Sequence, residues 1–222
     1  MFTEMNVEMV DSMGGDLDVV NAARVSFSKE SNELGNNDIK LINYLAKHNH
    51  WTPFAHCFVK FRVKVPIFVA RQWFKHTVGF AYNEVSRRYV SGNPELFDVN
   101  VWRGKPEDNI KQGSSSKVIY VTKETTELME IMVAHYNILI KQGIAPEMAR
   151  MVLPQATMTE YIVSGSLAAW ARFYNLRADD HAQHEIRWCA EQIGEKMVKY
   201  YPNSWAALCN NCKEWNFGEE EH

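Results

Sequence analysis

No apolar run in these 222 residues approaches the roughly 20 that span a bilayer, and the opening Met-Phe-Thr-Glu-Met has no basic segment leading into an apolar one. A membrane-spanning chain is not expected; the cytoplasm is, or a host's cytoplasm if the chain is viral. Cysteine is scarce. Cys57, Cys189, Cys209 and Cys212 are too few for a disulfide scaffold and sit mostly among apolar neighbours, so they read as reduced thiols. Cys209-Asn210-Asn211-Cys212 has C-x-x-C spacing, but no second pair completes a zinc cluster and it opens no helix of a thioredoxin-like unit, which leaves packing of the tail. Basic charge is not in excess either: 24 Lys and Arg face 27 Asp and Glu, for a net charge of −3. A nucleic-acid polymer calls for a broad basic face and is not expected as a partner, whereas a small anion in a local basic pocket stays open. There is no G-x-G-x-x-G dinucleotide loop, no internal repeat and no linker-like segment.

Against these absences stands a hydrophobic content of 46%, enough for a substantial core in one domain over residues 1–222, with a tail from about residue 206 at its edge and a frayed Glu219-Glu220-Glu221-His222 end. Residues 5–12 alternate as an edge strand closed by Gly14-Gly15, after which Asp16 caps a helix through Val19, Val20, Ala22 and Ala23. Asn37-Asp38 open a second helix, with Ile39, Ile42 and Leu45 on one face. The clearest strand is 57–65, where Val59, Phe61, Val63 and Val65 point one way and Lys60, Arg62 and Lys64 the other. Pro66 ends it and starts a helix over 67–76. Residues 90–116 are loop-like with a short strand near 97–102; 117–142 form a long amphipathic helix ended by Gly143; 145–154 form a short helix and 155–163 a strand. Ser164-Gly165-Ser166 start a helix over 167–176, and Asp180 with Gln183 caps a last long helix buried through Ile186, Ala190, Ile193 and Met197. The pattern is α+β, a central sheet flanked by helices.

Residues 71–89 concentrate charge and rings. Arg71, Lys75, His76, Arg87 and Arg88 share nineteen residues with a single acid, Glu84, and with Trp73, Phe74, Phe80, Tyr82 and Tyr89. Charges that only confer solubility mix signs. An ordinary solvated helix face over a core of rings remains the plain alternative for Arg71 and Lys75, one turn apart. Asn83-Glu84-Val85-Ser86-Arg87-Arg88-Tyr89 argues otherwise: short polar residues before paired arginines form a loop or helix start where backbone N–H groups and guanidinium forks converge on an anion. Elsewhere Arg150 reads as a routine cation late in a helix, Ser26 as a surface serine, and Thr52-Pro53 as a helix start. His48, His50 and His56 invite a metal, yet no acidic or cysteine ligand lies close in sequence.

The stretch Lys75-His76-Thr77, eight residues, then Ser86-Arg87-Arg88-Tyr89, flanked by Arg71-Gln72-Trp73-Phe74, resembles the Arg-His-Arg signature of the flavin-dependent thymidylate synthases. His50 and Thr52 fit the family's His-x-Thr-Pro-Phe. Ala149-Arg150 with Val152-Leu153-Pro154, and Asn175-Leu176-Arg177-Ala178-Asp179 with His181-Ala182-Gln183, fit two further blocks, so the resemblance runs from about residue 8 to 205. It implies methylation of dUMP, with methylenetetrahydrofolate as carbon donor, FAD as hydride carrier and NADPH as reductant, in a homotetramer whose sites combine loops of several subunits. It places Gln72, Lys75, Glu84, Val85, Ser86, Arg87, Arg88, Arg150 and Arg177 at dUMP. It places Ser26, His50, Thr52, Lys75, His76, Thr77, Val78, Asn83, Glu84, Ser166, Arg172, Leu176 and His181 at FAD. The chain departs from the pattern where Lys75 and Thr77 replace arginines, and at Ser166, Ala168 and Arg172. Lys75 keeps the charge without the fork, Thr77 loses it, and Arg172 is placed to supply a cation instead.

No cysteine lies beside a basic group that would lower its pKa, so thiolate attack on the pyrimidine is not expected. A fixed cation must then polarise the ring where negative charge develops, and Arg177 is the catalytic candidate. Ser86 has no histidine partner at a readable spacing and reads as a phosphate ligand. Two rivals stand beside this: a metal-dependent hydrolase built on His48, His50 and His56, and a catalytically silent nucleotide-binding homologue.

Overall fold

The computed structural model describes residues 2–90, 92–99, 101–106 and 113–209. Its centre is an antiparallel sheet in the order β2-β3-β8-β4, formed by β2 (Asn6–Met13), β3 (Phe58–Pro66), β8 (Met158–Ser166) and β4 (Phe80–Glu84). Period-two alternation decides which way β3 faces: Val59, Phe61, Val63 and Val65 are buried while Lys60, Arg62 and Lys64 turn outward. Across the ladder they meet Gly165, Val163, Tyr161 and Thr159 of β8. Two short pairs form ladders of their own, β1 (Phe2–Thr3) with β5 (Leu96–Phe97), which also bridges to Thr157 just before β8, and β6 (Trp102–Arg103) with β7 (Val118–Ile119).

The inward face is covered by α3 (Ile67–Trp73), α6 (Leu167–Arg177) and α7 (His184–Tyr200). Their aromatic side chains interlock: Trp73 lies 4.6 Å from Phe173 between ring centroids, and Trp170 lies 4.9 Å from Phe61 and donates its indole N–H to the Val59 carbonyl. Gly165 makes this fit possible, because a Cβ there would lie 2.5 Å from the Phe80 ring. At the end of the sheet α1 (Asp16–Arg24), α2 (Asn36–Lys47) and α8 (Pro202–Leu208) extend the same core through Val19, Val20, Ile42, Leu45 and Trp205. The long α4 (Lys123–Lys141) leads to α5 (Pro146–Ala149) and a 3-10 turn at Arg150–Val152.

Several boundaries differ from expectation for identifiable reasons. Asn83 and Glu84 lie in a strand, not a loop or helix start, because Phe80 and Tyr82 pack inward and the backbone of Ala81–Glu84 pairs with β8; only Ser86–Tyr89 form the turn. The helix after Pro66 stops at Trp73, leaving Lys75, His76 and Thr77 beyond its end. Val118 and Ile119 pair with β6, so the long helix begins at Lys123, and Leu128 and Ile131 of its apolar stripe are exposed. The strand expected over 155–163 is displaced to Met158–Ser166: Gln155–Thr157 make a turn after Pro154, and the ladder with β3 continues to Ser166. Ser166 then accepts from the Ala169 N–H, capping α6 as well as ending the strand.

Asp16 does not cap its own helix. Asp18 takes the Gly15 N–H there, while the buried Asp16 carboxylate accepts from the main chain of Asn203 and Ser204 and from the Asn203 side chain, at 2.8–2.9 Å, closing the first turn of α8. Asp180 and Gln183 do not form a capping pair; Asp180 meets Arg187, and Gln183 turns elsewhere. Thr52-Pro53 opens a short 3-10 turn with no side-chain cap. The chain past residue 206 is not peripheral up to Cys209, which is buried next to α8; Cys212 and the acidic end lie outside the described residues.

Candidate active site

Behind the turn at Ser86 lies a cavity of about 500 Å³ lined by Arg71, Glu84, Ser86, Arg87, Arg88, Arg150 and Thr159, among others. The four guanidinium groups arrive on three supports. Arg71 comes from α3, Arg87 and Arg88 from the turn after β4, and Arg150 from the start of the 3-10 turn after α5. The anchoring contacts are few. Arg88 Nε and main-chain N both donate to Ser86 Oγ at 3.3 Å, Arg87 donates to the Gly92 carbonyl at 3.1 Å, and Arg150 Nε to the Glu147 carbonyl at 3.2 Å. Among the described residues Glu84 is the one acid lining the cavity, and it accepts from Thr159 Oγ1 at 2.6 Å. Four guanidinium groups around one carboxylate repel one another and are relieved by an incoming anion. Arg71, absent from the expected site residues, belongs here; its signal was its place one helical turn before Lys75.

Arg177 and Gln72 do not line that cavity. Arg177 leaves the last turn of α6 and is held by two acceptors, His76 Nε2 at 2.9 Å from its Nε and the Gln72 carbonyl at 3.2 Å from its Nη2. Burial lowers its pKa, and burial followed by the Arg177 and Arg172 charges pulls His76 down to about 4. At neutral pH the imidazole is therefore uncharged, with Nε2 as acceptor and the proton on Nδ1. The main-chain carbonyl of His76 is fixed in turn by the Tyr82 hydroxyl at 2.6 Å.

Arg172 lies five residues earlier on α6, about 140° round the helix from Arg177, and donates to the Val78 carbonyl at 2.6 Å. It lines a second cavity, of about 600 Å³, together with His50, Trp51, Val78, Ser166 and Ala168. Gly79 sits at its edge with φ +81°, where a side chain would be strained and its Cβ would lie 2.9 Å from Ala169. A third cavity, of about 1040 Å³, holds Ser26, Thr52, Arg24 and Lys29 and shares His50 and Leu45 with the second, so the two form one trough. Trp51 and Val78 are exposed along this trough, Arg172 lines one end, and Lys29 and Arg24, the latter paired with Asp38, line the other. Lys47, Trp51 and Asn175 also line it without having been anticipated.

Of the residues expected at FAD, Ser26, His50, Thr52, Val78, Ser166 and Arg172 line this trough. Lys75, Thr77, Asn83, Leu176 and His181 are exposed and line neither it nor the arginine cavity. Among the described residues no three His, Cys, Asp or Glu side chains converge as a metal site; Tyr44 packs against His48 and His50. Burial, then Asp18 and Asp16, pushes the Cys57 thiol up to about 12, and burial with Glu185 raises Cys189 further.

Residues 8–203 match the family described as thymidylate synthase complementing protein. The chain is 38% identical over 219 residues to a flavin-dependent thymidylate synthase of Wolbachia pipientis, covering 94% of this chain and 75% of that protein. It is also 38% identical to one of Thermotoga neapolitana over 202 residues, 91% of this chain and 89% of the relative. Its fold matches the crystal structure of a UMP/dUMP methylase, PolB from Streptomyces cacaoi, bound with 5-Br dUMP, with a TM-score of 0.79, 32% identity, and 93% and 95% of the two chains covered. By the match over residues 8–203 and by these identities, the chain belongs to the flavin-dependent thymidylate synthase family.

Proposed function

We propose that this chain methylates dUMP to dTMP, taking the carbon from methylenetetrahydrofolate, with FAD in the trough and NADPH as reductant. The observation that carries the reading is Arg177, a guanidinium locked by a neutral histidine and a main-chain carbonyl. It is held still, as a group that polarises a uracil carbonyl must be, and it costs no reorganisation when negative charge develops on the ring. Cys57 and Cys189 are thiols held protonated by burial, which supports activation without a thiolate. Arg71, Arg87, Arg88 and Arg150, with Ser86, bind the nucleotide phosphate. When bound, FAD supplies hydride transfer; Ser26, His50, Thr52, Val78, Ser166 and Arg172 hold it.

Among the described residues Arg177 is not part of the lining of the arginine cavity, and Leu128, Ile131, Ile138, Met148 and Met151 leave an exposed apolar surface on α4 and beyond. Both features support a homotetramer in which one chain's Ser86 turn completes another's site. The deciding experiment is purification followed by assay. Yellow protein that releases FAD on denaturation, runs at four times the mass of one chain, and forms dTMP from dUMP and methylenetetrahydrofolate with NADPH oxidation supports the reading. FAD-loaded protein that forms no dTMP ends it.

A further inference from the structure

The arginine cavity carries more charge than the proposed substrate neutralises. Among the described residues Arg71, Arg87, Arg88 and Arg150 line it beside a single carboxylate, that of Glu84, which leaves three positive charges over. Among the same residues none of the four guanidinium groups forms an ion pair with an acid. A nucleoside monophosphate brings about two negative charges at neutral pH, and a second phosphate adds about one more. With a monophosphate bound, an excess of positive charge remains and the guanidinium groups still repel one another.

The excess is located in one side chain. Arg87 gives one terminal nitrogen to the Gly92 carbonyl, and Arg88 and Arg150 give only Nε, to Ser86 Oγ and the Glu147 carbonyl. Arg71, exposed and carried on α3 away from the turn, makes no hydrogen bond, ion pair or ring contact among the described residues. Its whole fork is open, and a planar fork takes a phosphate bidentately. At about 500 Å³ the cavity is larger than one phosphate group, and Ile67, Met151, Leu153 and Met158 add an apolar lining beside the charges.

We infer that this cavity takes a pyrimidine nucleoside diphosphate in preference to the monophosphate, with Arg71 on the second phosphate. The ligand of consequence is the diphosphate of the product nucleoside. It has nothing left to methylate, so it occupies the dUMP site as a competitive inhibitor, and onward phosphorylation of the product feeds back on its formation. The inference rests on the nucleotide-methylating reading of the site and adds a regulatory ligand to it.

The test uses FAD-loaded protein without divalent cations and compares dTMP with dTDP, by calorimetry and as inhibitors of dUMP turnover. In wild type dTDP binds about tenfold tighter than dTMP, the worth of an added charge-assisted bond, and it raises KM for dUMP with kcat unchanged. Added salt weakens dTDP more steeply than dTMP. Arg71→Gln brings the two affinities to within about twofold of each other, because the second phosphate has lost its partner. Arg71→Lys, which keeps the charge without the fork, retains part of the preference. Arg88→Gln weakens both ligands together and leaves the preference standing. Melting temperatures confirm folding; should Arg71→Gln not fold, the wild-type comparison and Arg71→Lys carry the test. Equal affinity for dTMP and dTDP in wild type, inhibition that lowers kcat rather than raising KM, or a preference that survives Arg71→Gln overturns the inference. Wild type that binds neither dUMP nor dTMP overturns the functional reading, and the inference with it; wild type that methylates dUMP yet shows no preference for the diphosphate overturns the inference alone.

Discussion

The arginines behind the Ser86 turn and the arginine at the end of α6 carry the same group in opposite circumstances. Arg87, Arg88 and Arg150 each make one or two weak local contacts and keep donors open to the cavity, whereas Arg177 is half-buried and bonded on two of its nitrogens. The first arrangement suits an anion that arrives with its charge already present: open forks wait for it, and repulsion among them is relieved on binding. The second suits charge that appears only during reaction, where a cation helps by staying fixed. On the proposed function one set contributes to affinity and the other to rate.

Removing Arg177 should break that division most severely. Arg177→Ala is expected to lower kcat for dTMP formation by a factor of about 10²–10³ in folded, FAD-loaded protein; undiminished turnover would contradict its role. Arg88→Ala or Arg150→Ala should instead raise KM for dUMP about 10- to 100-fold, the worth of a charge-assisted bond, with kcat much less affected and the remaining binding less sensitive to salt. Arg172→Ala sharpens the contrast from the other side of α6: FAD affinity falls about tenfold, more than dUMP affinity does, as flavin titration of the apoprotein would show.

A smaller effect comes from pH. Burial, then the Arg177 and Arg172 charges, lower the His76 pKa from its ordinary 6.5 to about 4 on folding, so the stability it contributes is complete above pH 6.5 and is lost as pH falls through that range. Over the same range protonation removes Arg177's acceptor and sets two cations side by side. Denaturant titrations at pH 7 and pH 5 should show wild type losing more stability on acidification than His76→Gln, and equal losses would remove His76 from the account. Arg62→Ala, which breaks the exposed 3.3 Å pair with Glu160, is expected to cost less than about 1 kcal/mol in the same titrations.

How much could be read beforehand depended on whether the deciding contacts were local. Strand 58–66 was legible because its alternation repeats over a full strand length, and so was the face of α7 through Ile186, Ala190, Ile193 and Met197, all buried. The fourth strand was not: Phe80–Glu84 has only two inward rings, and its partner lies some 80 residues away in β8. Asp16 was legible as a helix-capping carboxylate but not as the cap of α8, a contact across 187 residues. Gln183 looked like a capping partner because, with Asp180 three residues before it, it has the spacing of one; its real partners, Gln72 and Glu185, depend on how α3 packs on α7.

By itself the sequence determined the residue types, the spacing of the arginine turn and the period of each long element, since these follow from side-chain chemistry and local backbone geometry. It thereby determined that a local cluster of basic residues stands in a chain of net negative charge. Tertiary structure alone decided which guanidinium is bound and which is open, and that of two arginines on one helix Arg172 lines the trough while Arg177 is held by His76 and the Gln72 carbonyl. It alone also brought Arg103, 82 residues away, to Glu185. Those outcomes depend on what each donor meets in the folded chain, and donors meet acceptors only once distant segments have packed.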